Sequence, residues 1–266
     1  MNLVAACSMF FDILTIFPEF FASPLQEGII SRALIDNRIN VDIHNIREYT
    51  FDRHHMTDDR PFGGGEGMVM KPEPLAECLK SISLDIPSTR VILLSPKGQR
   101  FSQQTAQRLS EYSRLVFVCG RYEGVDERFR EKYVDEEISL GDYVLTGGEL
   151  AALVVMDAVA RLLPGVLGCM DSATNDSFTC GLLKHAQYTR PRVFEGMAVP
   201  EVLLSGDHAA IARYRFVESI KMTLERRPEL LAETEFSSAE QKILKKEGLF
   251  GRIQAIGKVP GAASPQ

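Results

Sequence analysis

Residues 10–16 (FFDILTI) are almost continuously apolar and predict a buried strand. A turn at Pro18 and a helix over residues 24–35 follow. Ile39, Val41 and Ile43 alternate with polar positions, the period of a second strand. Residues 46–71, rich in Gly, Asp and Arg, predict a long loop. The pattern then gives a helix over 74–83 and a short apolar strand at 90–94 that ends at Ser95-Pro96. A helix over 103–112 leads to a buried strand at 115–118, which ends at Cys119-Gly120. A helix near 126–132, a strand near 134–139 and a strongly apolar helix over 148–163, stopped by Pro164-Gly165, complete the series.

Strands that alternate with helices predict an α/β fold, a mostly parallel sheet with helices on both faces. Ligands in such sheets bind at the carboxyl ends of strands. Three loops lie at such ends: residues 95–100, 120–124 and 140–148. Residues 168–184 are small and polar and read as a linker. Beyond them the chain is helical, with Ile211, Tyr214, Val217, Ile220 and Leu224 on one helix face. Four segments result: an extension over 1–8, an α/β domain over 9–168, a linker over 169–184 and a small helical domain over 185–266.

Composition changes this picture little. At 45% hydrophobic and 25% charged residues the chain is globular in type. Five scattered cysteines without a C-x-x-C pair argue for a reducing compartment and against a zinc site or disulfide framework. No stretch approaches the roughly 20 apolar residues that span a bilayer, which predicts a cytoplasmic protein. Leu3 to Cys7 resembles a lipoprotein cleavage site, but no basic segment and long apolar core precede it. The net charge of −6 is unevenly spread: residues 185–266 carry +2 and the rest −8. A mildly basic C-terminal part fits a nucleic-acid partner, and a solvated helix face fits it equally well.

Four constellations carry candidate chemistry. In residues 58–67 (DDRPFGGGEG) three consecutive glycines let the backbone approach a ligand, and a flexible surface loop accounts for them as well. The loop is no phosphate-binding P-loop, because no Gly-Lys-Ser/Thr follows. His54-His55 beside Asp58-Asp59 reads more readily as solvated than as metal-binding. In residues 119–128 (CGRYEGVDER) a strand empties into a glycine-bounded loop that carries Arg121, Tyr122 and Glu123. In residues 139–149 (SLGDYVLTGGE) glycines free backbone groups to read a polar ring, and Leu140, Tyr143 and Leu145 can wall it. A tight turn with Glu149 in a helix's first turn is the plainer account. The last is Arg161, at the end of the apolar helix, with Asp176 in the linker. On its own chemistry Asp176 is a solvated loop carboxylate.

Taken together, these residues resemble the tRNA (guanine-N1)-methyltransferase family, the TrmD type of the knotted SPOUT class. The resemblance runs from about Phe10 to Leu231. It is carried by Phe17-Pro18-Glu19, DDRPFGGGEG, Leu94-Ser95-Pro96, CGRYEGVDER, GDYVLTGGEL (141–150), DAVARLLPGVLG (157–168), Asp176-Ser177-Phe178, HAQYTRP (185–191) and RRPELL (226–231). It implies a deep trefoil knot in the sheet and a homodimer with its active site at the interface. S-adenosyl-L-methionine would be bound by Leu94, Ser95, Pro96, Gly120, Arg121, Glu123, Leu140, Gly141, Asp142, Tyr143, Val144, Leu145, Gly147 and Gly148. The tRNA anticodon stem-loop would meet Asp58, Gly64, His185, Tyr188, Arg190, Arg226 and Arg227.

The reaction so implied is methylation of N1 of guanosine 37 where guanosine 36 precedes it, giving 1-methylguanosine. Asp176 takes the place of the general base and Arg161 that of the residue that stabilises O6. Guanine N1 carries a proton and becomes a nucleophile once a carboxylate removes it. The charge that then develops on O6 suits a guanidinium, and the base must leave its stack to react. Leu93 stands where many relatives carry an aromatic residue. A Mg2+ requirement belongs to the family picture, but no metal-ligand set is readable in this sequence. A ribose 2′-O methyltransferase would share the knot, yet Asp176-Ser177-Phe178 and the GGGEG loop argue against it. A non-catalytic tRNA-binding protein would not need Arg161, Asp176 and both glycine loops.

Overall fold

The computed structural model describes residues 8–82, 88–168, 176–179 and 181–256 of the 266. The extension over 1–7, linker positions 169–175 and 180, and the tail from 257 lie outside these. The chain divides into two compact units between residues 170 and 171.

The first unit is built on a five-stranded parallel sheet: β1 (Met9–Thr15), β2 (Ile39–Asn45), β5 (Thr89–Arg100), β6 (Arg114–Cys119) and β7 (Glu136–Ser139). Their spatial order is β2-β1-β6-β5-β7. The chain thus runs from β5 to β6 on one side and returns to lay β7 on the other. A separate two-stranded ladder, β3 (Asp58–Asp59) with β4 (Val69–Met70), pins the base of the long loop expected over 46–71.

Alternation along the strands places Phe11, Ile13, Ile92, Leu94 and Phe117 on one face. They pack under α1 (Gly28–Ile35), α3 (Gln103–Leu109) and α5 (Glu149–Ala160). Leu14, Val91, Leu93, Val116 and Val118 face the other way, under α2 (Pro72–Ser81) and α4 (Glu127–Tyr133). Both faces are covered, which is why the inner strands β1, β5 and β6 read as apolar runs, while the edge strand β2 alternates. Phe117 is fully buried among these layers, so truncating it to Ala costs about 3–5 kcal/mol. One polar group interrupts the second face: Asp12 is buried but bonded at 2.8 Å to both His44 Nε2 and Arg114 Nη1, which satisfies its charge.

Helix starts follow side-chain chemistry. Ser102 caps α3 by accepting from Thr105 N–H at 3.2 Å, and Asp126 caps α4 by accepting from Arg128 N–H at 2.9 Å. Asp126 therefore stands just outside the helix predicted to include it. A larger departure concerns β5. The strand does not stop at Ser95-Pro96. It leaves the ladder after Leu94↔Ile138, arches over residues 95–98 and rejoins β7 at Gln99↔Ile138.

The second unit gathers α6 (His208–Arg226), α7 (Ser238–Lys246) and α8 (Phe250–Ile256) around Val217, Ile220, Leu231, Leu244, Leu249 and Ile253. Asp207 caps α6 with two bonds of 3.0 Å, and Ser237 with Glu240 forms a capping box on α7. An exposed hairpin, β8 (Val193–Phe194) with β9 (Met197–Ala198), precedes α6.

Candidate functional site

Strands β6, β5 and β7 are neighbours in the sheet, so the loops after β6 and β7 and the arch within β5 are forced together. They enclose a cavity of about 280 Å³. Its walls include residues 93–97 at the β5 arch, residues 120–125 after β6 and residues 137–148 around the end of β7, with Asp142 excepted. Every other residue assigned above to the donor lies in these walls. Asp142 is exposed on the outside of its loop.

Backbone geometry fixes each wall. Gly98 lets β5 pass β7, since a Cβ there would stand 2.4 Å from the main chain of Glu137 and Ile138. This glycine was not singled out in the sequence; its only signal is a lone Gly between Pro-Lys and Gln. The second loop turns on Tyr122 and Gly124, both with positive φ. It is tied to the glycine-rich loop: Glu123 N–H donates to Met68 O at 2.9 Å, and Met70 N–H to Gly124 O at 2.9 Å. Gly67 (φ +80°) lies so close to Glu123 that a Cβ would sit 2.6 Å from its carboxylate. Two motifs that are more than 50 residues apart in sequence are thus one structure. In the third loop Ser139 Oγ accepts from Gly141 N–H at 3.2 Å, and Gly148 N–H donates to Gly120 O at 3.0 Å. Tyr143, Val144 and Tyr122 are exposed at the rim.

Behind these walls lies a buried carboxylate. Glu149, at the start of α5, receives Arg121 Nε at 3.0 Å, Arg121 Nη2 at 3.0 Å and the Thr15 hydroxyl at 2.8 Å. The Arg121 guanidinium stacks on the Phe17 ring, 4.5 Å from its centroid. The two cysteines among the described residues are held as thiols: burial pushes Cys78 up to about 12 and Cys119 well above its ordinary range. No group of three or more His, Cys, Asp or Glu able to hold a metal occurs among the described residues.

Arg161 follows the last turn of α5 in the first unit and is half-buried. Asp176 belongs to the second unit, where its carboxylate pairs with Lys184 Nζ at 2.9 Å. Around that pair, Lys184 N–H donates to Ser177 Oγ at 3.0 Å and Phe178 N–H to Leu182 O at 2.8 Å. Leu183 N–H donates to Thr223 Oγ1 of α6 at 3.0 Å. These residues are part of the helical unit's fabric, unlike the plain linker predicted for them. Tyr188, Arg190 and Arg226 are exposed and His185 is half-buried. Arg227 is already engaged, bonded to Glu229 and stacked 5.7 Å from the Phe178 ring centroid. Asp58 is half-buried in the β3–β4 ladder, and Gly64 (φ +81°) turns the loop above it. Among the described residues no helix is long and apolar enough to cross a membrane.

A cavity with glycine-lined walls and an apolar rim suits a flat heteroaromatic ligand read by main-chain groups. Comparison with known proteins narrows this. Residues 9–233 match the family described as tRNA (Guanine-1)-methyltransferase TrmD. A tRNA (guanine-N(1)-)-methyltransferase of Geobacter sulfurreducens is 52% identical over 243 residues, covering 90% of this chain and 99% of its own length. The protein of the same name from Dehalococcoides mccartyi (strain ATCC BAA-2266) is 53% identical over 234 residues, covering 88% and 94%.

Proposed function

The chain belongs to the tRNA (guanine-1)-methyltransferase TrmD family, and from that premise we propose that it methylates N1 of guanosine 37 in tRNAs with guanosine at position 36. The observation that carries the reading is the cavity at three adjacent strand ends, in a chain more than half identical to enzymes of that name. S-adenosyl-L-methionine is the methyl donor of this reading, and the cavity passes a simple test of fit. Its walls are drawn in to main-chain distance at Gly98 and Gly148 and against the Arg121 side chain at Gly147, and a Cβ at any of these positions would strike neighbouring atoms. Leu94, Gly120 and the 140–145 backbone would hold the adenine side, with Tyr143 and Leu145 as apolar cover. When bound, the donor supplies an electrophilic methyl group on a sulfonium.

The chain's own residues do the rest. Asp176 removes the proton from guanine N1. Arg161 faces the charge that builds on O6. The freed N1 lone pair forms the new C–N bond as the C–S bond breaks, and that electron pair stays on sulfur. Exposed Tyr188, Arg190 and Arg226 contribute stacking and phosphate contacts to the anticodon stem-loop. The knotted path of the strand-end loops, a homodimer with its site at the interface and a cytoplasmic location belong to the same reading.

The test is incubation with labelled donor and unmodified transcript carrying the G36-G37 pair, followed by mapping of the methylated atom. Label at guanine N1 of position 37 is expected. Label on a ribose hydroxyl or another base overturns the reading.

A further inference from the structure

Glu149 is a buried carboxylate behind the cavity wall, 1% exposed, and the mechanism above does not use it. Its partners form a closed circuit. Phe17 N–H donates to Thr15 Oγ1 at 3.0 Å, and the Thr15 hydroxyl donates to Glu149 Oε1 at 2.8 Å. Arg121 completes the pair through Nε and Nη2, both 3.0 Å from Oε2, and its guanidinium returns to the Phe17 ring. The circuit joins the end of β1, the loop after β6 and the start of α5. It also presses on the loop after β7: a Cβ on Gly147 would lie 2.1 Å from Arg121 Nε and 2.5 Å from Glu149 Oε2. Arg121 and Gly147 pair as an isolated antiparallel bridge.

We infer that Arg121 and Glu149, with Thr15, are positioning residues that set the spacing between two walls of the donor cavity, and that Arg121 is not itself a donor ligand. The inference rests on the reading of the cavity as the donor site. Arg121 Nε and Nη2 are directed at Glu149, and its guanidinium lies over the Phe17 ring. The loop it belongs to meets Gly147 and Gly148 through main-chain contacts, Gly148 N–H to Gly120 O among them, and the ion pair braces that meeting from behind. A displacement of about 1 Å in such a wall is enough to cost on the order of a hundred-fold in rate.

The two charges differ in exposure, which makes the test asymmetric. Arg121→Gln strands a carboxylate that is 1% exposed, whereas Glu149→Gln strands a guanidinium that is 18% exposed and has a path to water. Donor and tRNA dissociation constants are measured on the full chain for Arg121→Gln, Glu149→Gln and the double variant. Both singles are expected to weaken donor binding by about ten-fold or more, Arg121→Gln the more severely, with tRNA affinity unchanged. The double variant, with neutral amides facing each other, recovers most of the loss. Thr15→Val, which removes only the third leg, gives a smaller loss in the same direction and serves if a single variant does not fold.

Wild-type donor affinity in either single overturns the inference. So does a double variant no better than Arg121→Gln alone, which makes Arg121 a direct ligand. An equal loss of donor and tRNA binding, unrelieved in the double, reduces the circuit to a fold-stabilising role and also overturns it. Leu140→Arg, which fills the cavity, separates the two readings. If it binds donor normally, the cavity assignment fails, independently of the circuit.

Discussion

In the N-terminal unit, the cavity walls are held by main-chain hydrogen bonds and by glycines whose missing Cβ lets neighbouring atoms close in. In the C-terminal unit, the residues around Asp176 are held by side chains: the Lys184 pair, Ser177 and Thr223 hydroxyls, and Arg227 over Phe178. The first arrangement leaves little room for an added atom at its glycines, and its side-chain brace, Arg121 on the buried Glu149, lies behind the walls. In the second, Asp176 and Lys184 are half-exposed, so their pairing can be exchanged for contacts with an incoming RNA, while Thr223 is buried beneath them. A site that must hold a small, invariant molecule suits the former, and one that must release a proton acceptor to a large substrate suits the latter.

The sharpest way to separate the two regions is through Asp176. Asp176→Asn is expected to lower single-turnover methylation by about 10²–10⁴-fold while the donor dissociation constant stays at the wild-type value in calorimetry. Equal losses in both would place Asp176 in the donor wall and dissolve the distinction. Gly148→Ala makes the reverse cut. Its Cβ would stand 2.7 Å from Cys119 Cα, so donor binding should fall by on the order of a hundred-fold with tRNA affinity retained. An alanine variant with normal donor binding would show that the wall yields.

Much of the first region was legible in the sequence, and little of the second. Apolar runs such as residues 115–118 announced their strands because a two-sided sheet buries every position. The three strand-end loops stood out through their glycines. The continuation of β5 past Pro96 stayed hidden, because Ser-Pro followed by Lys-Gly looks like a terminator and the re-pairing at Gln99 depends on β7, some forty residues on. Glu149 hid behind a local explanation, a carboxylate in a helix's first turn, and its partners Thr15 and Arg121 are 134 and 28 positions away. Asp176 carries no periodicity at all. Its role came from resemblance alone, and its pairing with Lys184 from the fold.

Smaller effects refine the contrast. Arg226 is exposed, whereas Arg227 is tied to Glu229 and Phe178. Arg226→Ala should therefore reduce the salt dependence of tRNA binding by about one phosphate contact, and Arg227→Ala by less. Equal slopes would mean that the Arg227 contacts break on binding. Smallest is a stability effect at the sheet edge. Burial raises the Glu136 carboxyl, but hydrogen bonds from Arg108 and Arg90 overrule it and hold the group below the usual carboxylate range. That stabilisation is present above the ordinary carboxylate value, about 4.3, and is lost as pH falls through the lower folded value. Glu136→Gln should lower the melting temperature slightly at neutral pH, with the gap closing in acid. A gap that persists below about pH 3 would assign the effect to packing.

The close approach at Gly147 and Gly148 also bears on how this protein can change over generations. At these two positions each of the nineteen alternatives adds at least one carbon where Arg121 or Cys119 already stands. A replacement at either position would also require the Arg121 side chain or the Cys119 main chain to shift. A competitor molecule anchored against those two peptide groups would therefore meet a contact at which substitution is constrained by a second residue.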